Sequence, residues 1–205
     1  VYADGQVTAI ACGTCTITAT AGDGSGISAC CEVAVIQLVT SITLNQSTLS
    51  MNSGSTAQLT ASVLPSNAND TGVNWTSSDE SVATVDADGL VTAVAGGTCT
   101  VTATAADGGG VSATCEVTVI QLVTGITLSH TSLALAIDGF QKLTATVLPS
   151  NASNKGFIWT SSDESVAEVT STGGVAAIGL GSCTITCTAK DGSGVSATCE
   201  VTVGN

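Results

Sequence analysis

The sequence predicts an all-β chain of tandem sandwiches on three observations: a string that returns at a constant offset of 84 residues, a two-residue apolar/polar alternation inside it, and turn residues between such runs. Cys15 to Val35 reads CTITATAGDGSGISACCEVAV, Cys99 to Val119 reads CTVTATAADGGGVSATCEVTV, and Cys183 to Val203 reads CTITCTAKDGSGVSATCEVTV. Residues 39–119 align with 123–203 without a gap and agree at 47 of 81 positions, whereas residues 1–36 align only with the second half of that unit. The expected organisation is the C-terminal half of a repeat over 1–37, then complete repeats over 38–121 and 122–205. On this reading the chain starts inside a repeat and is a fragment of a longer one.

Each complete unit opens with an alternating run, Thr40 to Leu44 or Thr124 to Leu128, followed after a polar turn by Gln58 to Leu64 or Lys142 to Leu148. Pro65 and Pro149 close those second runs, because proline lacks the N–H that a central ladder requires. Short runs around Trp75 and Trp159 come next, then Ser-Ser-Asp-Glu-Ser-Val-Ala in both units, then Val82 to Val85 and Gly89 to Val94. The repeated string completes about seven short strands.

Inside that string Cys99, Val101, Ala103 and Ala105 share one parity, and Thr100, Thr102 and Thr104 the other, as in a strand with one buried face. The return run, Val111 to Val119, repeats the pattern, and Ala106-Asp107-Gly108 is turn chemistry. Pairing Ala105 with Gly109 sets Cys99 opposite Cys115, at a Cα separation of roughly 4.5 to 5.5 Å that suits a disulfide. The expected structural pairs are Cys15 with Cys31, Cys99 with Cys115, and Cys183 with Cys199, each enclosing fifteen residues. A bond closing such a loop contributes about 3 kcal/mol in the chain-entropy account and implies an oxidising, extracellular destination.

Seven short strands with a tryptophan on the third describe an immunoglobulin-like sandwich. Antibody domains join their two sheets through a cysteine on the second strand, but that strand here reads Leu59-Thr60-Ala61. Trp75 and Trp159, one per unit, are assigned to the core rather than to a sugar-stacking platform. With them assigned, Tyr2, Phe140 and Phe157 are too few for an aromatic carbohydrate cleft.

Several of these runs together resemble the group 2 bacterial immunoglobulin-like domain. They are Val39-Thr40 with Ile42-Thr43-Leu44, Leu64-Pro65-Ser66-Asn67-Ala68, Trp75 with Ser77-Ser78-Asp79 and Ser81-Val82-Ala83, Gly97 with Cys99-Thr100, and Asp107-Gly108 with Ala113 to Val119. The resemblance covers the second and third units in full and half of the first. It implies a module found in tandem on bacterial surface proteins, including adhesins related to invasin and intimin, in secreted polysaccharide-active enzymes, and in phage virion proteins.

The net charge of −13, with three lysines and no arginine, repels a phosphate backbone, so nucleic acid is not an expected partner. A hydrophobic fraction of 43% excludes disorder, and no run of 18 apolar residues offers a membrane span. Cys12-Gly13-Thr14-Cys15 with Cys30-Cys31 has a zinc-ligand spacing, yet Cys30 and Cys31 point to opposite faces of one strand and the other units lack the extra cysteines. Cys187, in place of Ala103, reads as a small buried thiol, and a bond from Cys12 to Cys30 or to a neighbour stays open. Asp86-Ala87-Asp88-Gly89 resembles the start of a calcium loop but has no closing glutamate and becomes Thr170 and Thr172 in the third unit. His130, the only histidine, sits in a turn where the second unit has Gln46, and leaves the many hydroxyls without a catalytic base.

No cofactor, metal or catalytic residue is therefore expected. The linkers Val35 to Thr40 and Val119 to Thr124 hold no Gly, Pro or Ser cluster and read as stiff continuations between units of roughly 30 to 40 Å. The expected function is a non-enzymatic structural or adhesive stalk on a bacterial surface; the alternatives are a phage virion protein and a spacer of a secreted polysaccharide-active enzyme. Expected partners are other repeats of the same assembly, and a host-cell protein or glycan or virion proteins. Contact would fall in the variable stretches Asn45 to Ala57 and Ser129 to Gln141.

Overall fold

A computed structural model describes residues 4–205, and every regular element among them is a β-strand. In unit 2 the strands are β3 (Ser41–Leu44), β4 (Thr48–Asn52), β5 (Thr56–Gln58), β6 (Ala61–Leu64), β7 (Val73–Ser77), β8 (Ala83–Val85), β9 (Leu90–Ala93), β10 (Gly97–Ala105) and β11 (Ser112–Ile120), preceded by β1 (Gly13–Thr20) and β2 (Ser28–Val35). Unit 3 repeats them as β12 (Gly125–Leu128), β13 (Ser132–Ala136), β14 (Phe140–Lys142), β15 (Ala145–Leu148), β16 (Phe157–Ser161), β17 (Ala167–Val169), β18 (Gly174–Ala177), β19 (Gly181–Ala189) and β20 (Ser196–Gly204).

Nine segments per unit reduce to the expected seven strands because one run, β3 to β4, passes from one layer to the other and a second, β5 to β6, is interrupted within its layer. One sheet of unit 2 has the order β4-β11-β10-β7, with β4 parallel to β11; the other layer holds the pair β3-β6 and the trio β5-β9-β8. The run Thr56 to Leu64 breaks between β5 and β6, where Asn45 accepts the Thr60 N–H on Oδ1 (2.9 Å) and donates from Nδ2 to the Gln58 carbonyl (3.3 Å). Leu59, fully buried at the break, donates its N–H to Gly89 instead of to a ladder partner. Ser129 fills the role of Asn45 in unit 3 through its Oγ, which accepts the Thr144 N–H at 3.1 Å.

The period-two pattern puts the predicted residues inside. Cys99, Val101, Ala103, Cys115, Val117 and Val119 are at most 5% exposed, and so are Cys183, Ile185, Cys187, Cys199, Val201 and Val203. Unit 3 has one continuous core, whereas the core of unit 2 falls into two clusters. Half-buried Trp75 touches both of them. Phe157, which replaces Val73, stands edge-on to Trp159 at a centroid distance of 6.0 Å, and Trp159 is 9% exposed.

The hairpin register differs from the expected one. Thr104 is the last paired residue, opposite Ser112, and the Ala105 N–H reaches the Val111 carbonyl, so the loop runs from Ala106 to Gly110. Asp107 Oδ1 accepts the Gly109 N–H, and Gly108 and Gly110 take φ of 79° and 74°, a longer turn than Ala106-Asp107-Gly108 alone would make. The register moves by two residues, which preserves parity but sets Cys99 opposite Val117 and Cys115 opposite Val101.

The disulfide expectation is corrected by this register. Cys99 and Cys115 become diagonal neighbours, roughly 7 to 8 Å apart at Cα, beyond the span that a disulfide bridges without backbone movement. The same offset separates Cys183 from Cys199 and Cys15 from Cys31, and all nine cysteines are free thiols.

Candidate functional site

Among the described residues no group of three or more His, Cys, Asp or Glu side chains is placed to hold a metal ion. Cys12, Cys15, Cys30 and Cys31 are all exposed, and Cys30 and Cys31 pair with Thr18 and Ile17 on opposite faces of β2. Asp86 forms a turn: its Oδ1 accepts the N–H groups of Asp88 and Leu90, both at 2.9 Å, and Thr170 Oγ1 does the corresponding work for Gly174 in unit 3. His130 is exposed, with Nδ1 3.1 Å from Ser129 Oγ. Asp79 and Asp163 cap the loops after β7 and β16, and the hydroxyls and N–H groups of Ser81 and Ser165 hold both carboxyls below the usual range.

The built feature is the junction between units. The carbonyl of Ile120, the last residue of β11, still accepts the Ser53 N–H of unit 2 at 2.9 Å. The very next residue is held by unit 3, where the Gln121 N–H donates to Ser153 Oγ (2.9 Å) and the Ser153 N–H returns to the Gln121 carbonyl (2.8 Å). Two residues on, the Val123 N–H donates to Asp191 Oδ2 in the β19–β20 loop, and the Thr124 N–H donates to the Leu148 carbonyl. The junction into unit 2 follows the same plan. Asn69 clasps Gln37 through its Oδ1 and its N–H, and Asp107 Oδ2 accepts the Val39 N–H at 2.6 Å.

Between the ladders of units 2 and 3, Gln121, Val123 and Thr124 are bonded to unit 3, and the Leu122 carbonyl accepts the neighbouring Gln121 Nε2 at 3.3 Å. A glycine permits the approach: a Cβ on Gly96 would lie 3.0 Å from Gln121 Cβ and 3.2 Å from Ser153 Oγ. The aspartate clamp is the residue that sequence reasoning passed over. Asp23, Asp107 and Asp191 recur at the repeat offset, but turn chemistry accounted for them, and nothing local signals a bond to a backbone 68 residues earlier.

The Val39 and Gly109 N–H groups lower the Asp107 carboxyl below its ordinary value of 3.8. Burial pushes the Asp191 carboxyl up, but the bonds from Ser193 and Val123 outweigh it, so its value too is lowered. A depressed folded value means the clamp contributes fully above the ordinary carboxylate range and is lost as pH falls through the folded value. Spin labels in units 2 and 3 should accordingly give one narrow distance distribution at pH 7 that broadens on acidification below the ordinary range. Asp191→Ala should broaden it at pH 7.

Thiol reactivity gives a further expected outcome. Burial raises Cys187 to about 11, and raises Cys115 and Cys199 with smaller contributions from the neighbouring Cys99 and from Glu200 and Cys183. Alkylation at pH 8 without reductant or denaturant should label Cys12, Cys15, Cys30 and Cys31 and spare the five buried thiols. In denaturant, still without reductant, all nine should react.

The fold defines a class, tandem immunoglobulin-like sandwiches. The chain belongs to the bacterial Ig-like domain family, group 2, whose profile matches residues 38–117 and 122–201. It is 38% identical over 168 residues to an uncharacterised protein of Clostridium acetobutylicum, a match covering 82% of this chain and 17% of that one. It is 34% identical over 169 residues to an Ig-like virion protein of Serratia phage KSP90, covering 80% of this chain and 65% of the phage protein. A third relative, a lacto-N-biosidase of Bifidobacterium bifidum, is 56% identical over 70 residues, which is 34% of this chain and 6% of the enzyme. The chain thus spans less than two thirds of each of these relatives.

Proposed function

We propose that this chain is a non-catalytic stalk segment of an extracellular or virion protein, whose units set the distance and direction between whatever lies at its two ends. The observation that carries this reading is the junction at Ile120 and Gln121, where consecutive residues are bonded to different units. A flexible tether requires a run of unbonded linker residues, whereas this linker is bonded to one unit or the other at Ile120, Gln121, Val123 and Thr124. The acidic surface and the loops that differ between units fit exposure to solvent and a protein or glycan partner.

The bacterial surface and the virion are both hosts for such a stalk. The phage relative favours the virion reading, because the shared stretch makes up 65% of that protein. The biosidase shares only 70 residues, less than one repeat, so that likeness supports a spacer unit and carries no activity to this chain.

Small-angle scattering tests the stalk. The wild-type chain should give a single elongated form, and inserting Gly-Ser-Gly-Ser between Ile120 and Gln121 should broaden the distribution of maximum dimensions. An equally broad distribution for the wild type would refute the reading. Alanine replacements across Asn45 to Ala57 and Ser129 to Gln141 address adhesion separately. Unchanged binding to cells and glycans would leave spacing as the function.

A further inference from the structure

The strand β16 ends its sheet, in the order β13-β20-β19-β16, and no strand among the described residues pairs with its outer side. The Lys190 N–H donates to the Gly156 carbonyl (2.8 Å) and the Ser162 N–H to the Thr184 carbonyl (3.0 Å), so Ile158 and Thr160, which share that parity, spend their backbone groups on β19. Phe157, Trp159 and Ser161 therefore turn their N–H and carbonyl groups towards the open edge. Natural edge strands are commonly blunted by a proline, a bulge or a charged side chain, but β16 reads Phe-Ile-Trp-Thr-Ser. On its solvent face Ile158 is 44% exposed, where unit 2 carries Asn74.

Charge at the two ends of the strand selects the occupant. Two of the chain's three lysines, Lys155 and Lys190, stand beside the start of β16, and Asp163 and Glu164 follow its end; all four are exposed. Asp163 caps its own loop through Oδ1, and its Oδ2 carries no bond among the described residues. When a second β16 lies antiparallel on a twofold axis at Trp159, Phe157 faces the partner's Ser161 and every outward N–H meets an outward carbonyl. The same register, continued past the strand ends, sets Lys155 opposite the partner's Asp163 and Asn154 opposite the partner's Glu164. Ile158 falls opposite the partner's Thr160 and diagonal to the partner's Ile158. The edge strand β7 of unit 2 lacks this fit: there Thr71 would face the partner's Asp79 and Asp70 the partner's Glu80, and unit 2 has no lysine. A mixed pair of β16 with β7 would still set Glu164 against the partner's Asp70.

We propose that β16 is the interface at which two copies of this chain pair edge to edge, antiparallel about Trp159, joining their two four-stranded sheets into one. A net charge of −13 on each copy opposes unspecific association, and the lysines beside β16 offset that repulsion at this edge alone. Pairing uses the free edge of both strands, so the assembly closes at two copies. With five strand residues a side, the contact belongs among small, transient interfaces. The pairing is independent of the stalk reading.

Sedimentation equilibrium of the whole chain, from about 10 μM to about 1 mM to suit a weak contact, should show a monomer–dimer equilibrium. Over the same range, hydrogen exchange should slow at the amides of Phe157, Trp159 and Ser161 and stay unchanged at those of Val73, Trp75 and Ser77. Ile158→Lys alters an exposed side chain and sets like charges across the axis, so it should weaken dimerisation by about tenfold or more. Lys155→Glu and Asp163→Lys, each confirmed as folded by circular dichroism, should weaken it likewise. An equimolar mixture of those two should recover the dimer, because both cross-axis pairs then carry opposite charges. Asn74→Lys on β7 should leave dimerisation unchanged. A wild-type chain that stays monomeric at the highest concentration overturns the proposal. So does a dimer that leaves the three β16 amides unprotected, or one that Ile158→Lys does not weaken.

Discussion

Replacing Trp159 with alanine should lower the unfolding free energy of unit 3 by about 4 kcal/mol, the usual cost of deleting a large buried aromatic ring. The ring sits in the unit's continuous core, edge-on to Phe157 and 9% exposed, so the loss combines removed apolar burial with a cavity that the sheets only partly close. Trp159→Phe should cost much less. The indole Nε1 is buried without a hydrogen-bond partner, and removing an unsatisfied donor offsets part of the lost packing. Urea unfolding followed by circular dichroism checks both variants, with the transition of unit 2 as the internal reference. If Trp159→Ala left stability within about 0.5 kcal/mol, as for an ordinary surface change, and weakened binding to a glycan, the ring would be a surface platform and not core.

Gly89→Ala should destabilise unit 2 by about 3 kcal/mol, combining a left-handed backbone with overpacking. An alanine Cβ at a φ of +82° would meet the Leu59 carbonyl at 2.6 Å and the Trp75 ring at 2.9 Å. That carbonyl lies at the break between β5 and β6, and the Leu59 N–H donates to the Gly89 carbonyl, so neither backbone can retreat without losing that bond. In calorimetry the transition of unit 2 should move down while that of unit 3 stays. Equal shifts in both would mean that the units unfold together.

Alternation with a period of two made the inward and outward faces readable, and it tolerates an error of two residues, because parity is unchanged. For that reason Val101, Cys115 and Val117 are buried even though the hairpin register is offset from the one expected. The disulfide expectation had no such tolerance. It depended on which residue faces which, and that depends on the length of the loop built around Asp107, Gly108 and Gly110. The strand break at Leu59 was hidden for a different reason, since its partners Asn45 and Gly89 lie 14 and 30 residues away, and Asn45 reads in sequence as ordinary turn chemistry. The junction was only half legible. The absence of Gly and Pro pointed to an expected stiff link, but the aspartates that clamp it belong to another part of the unit.

The position of the clamp has a consequence for how such chains change over generations. The aspartate that receives a linker and the strand that emits the next one lie in the same near-identical hairpin string. Exchange between two copies of a gene, aligned on those strings, would insert or remove whole repeats and leave every seam with a matched acceptor and donor. Reach would then vary in whole steps of 84 residues, with no new contact to be selected at the splice, and lineages could tune their span by counting.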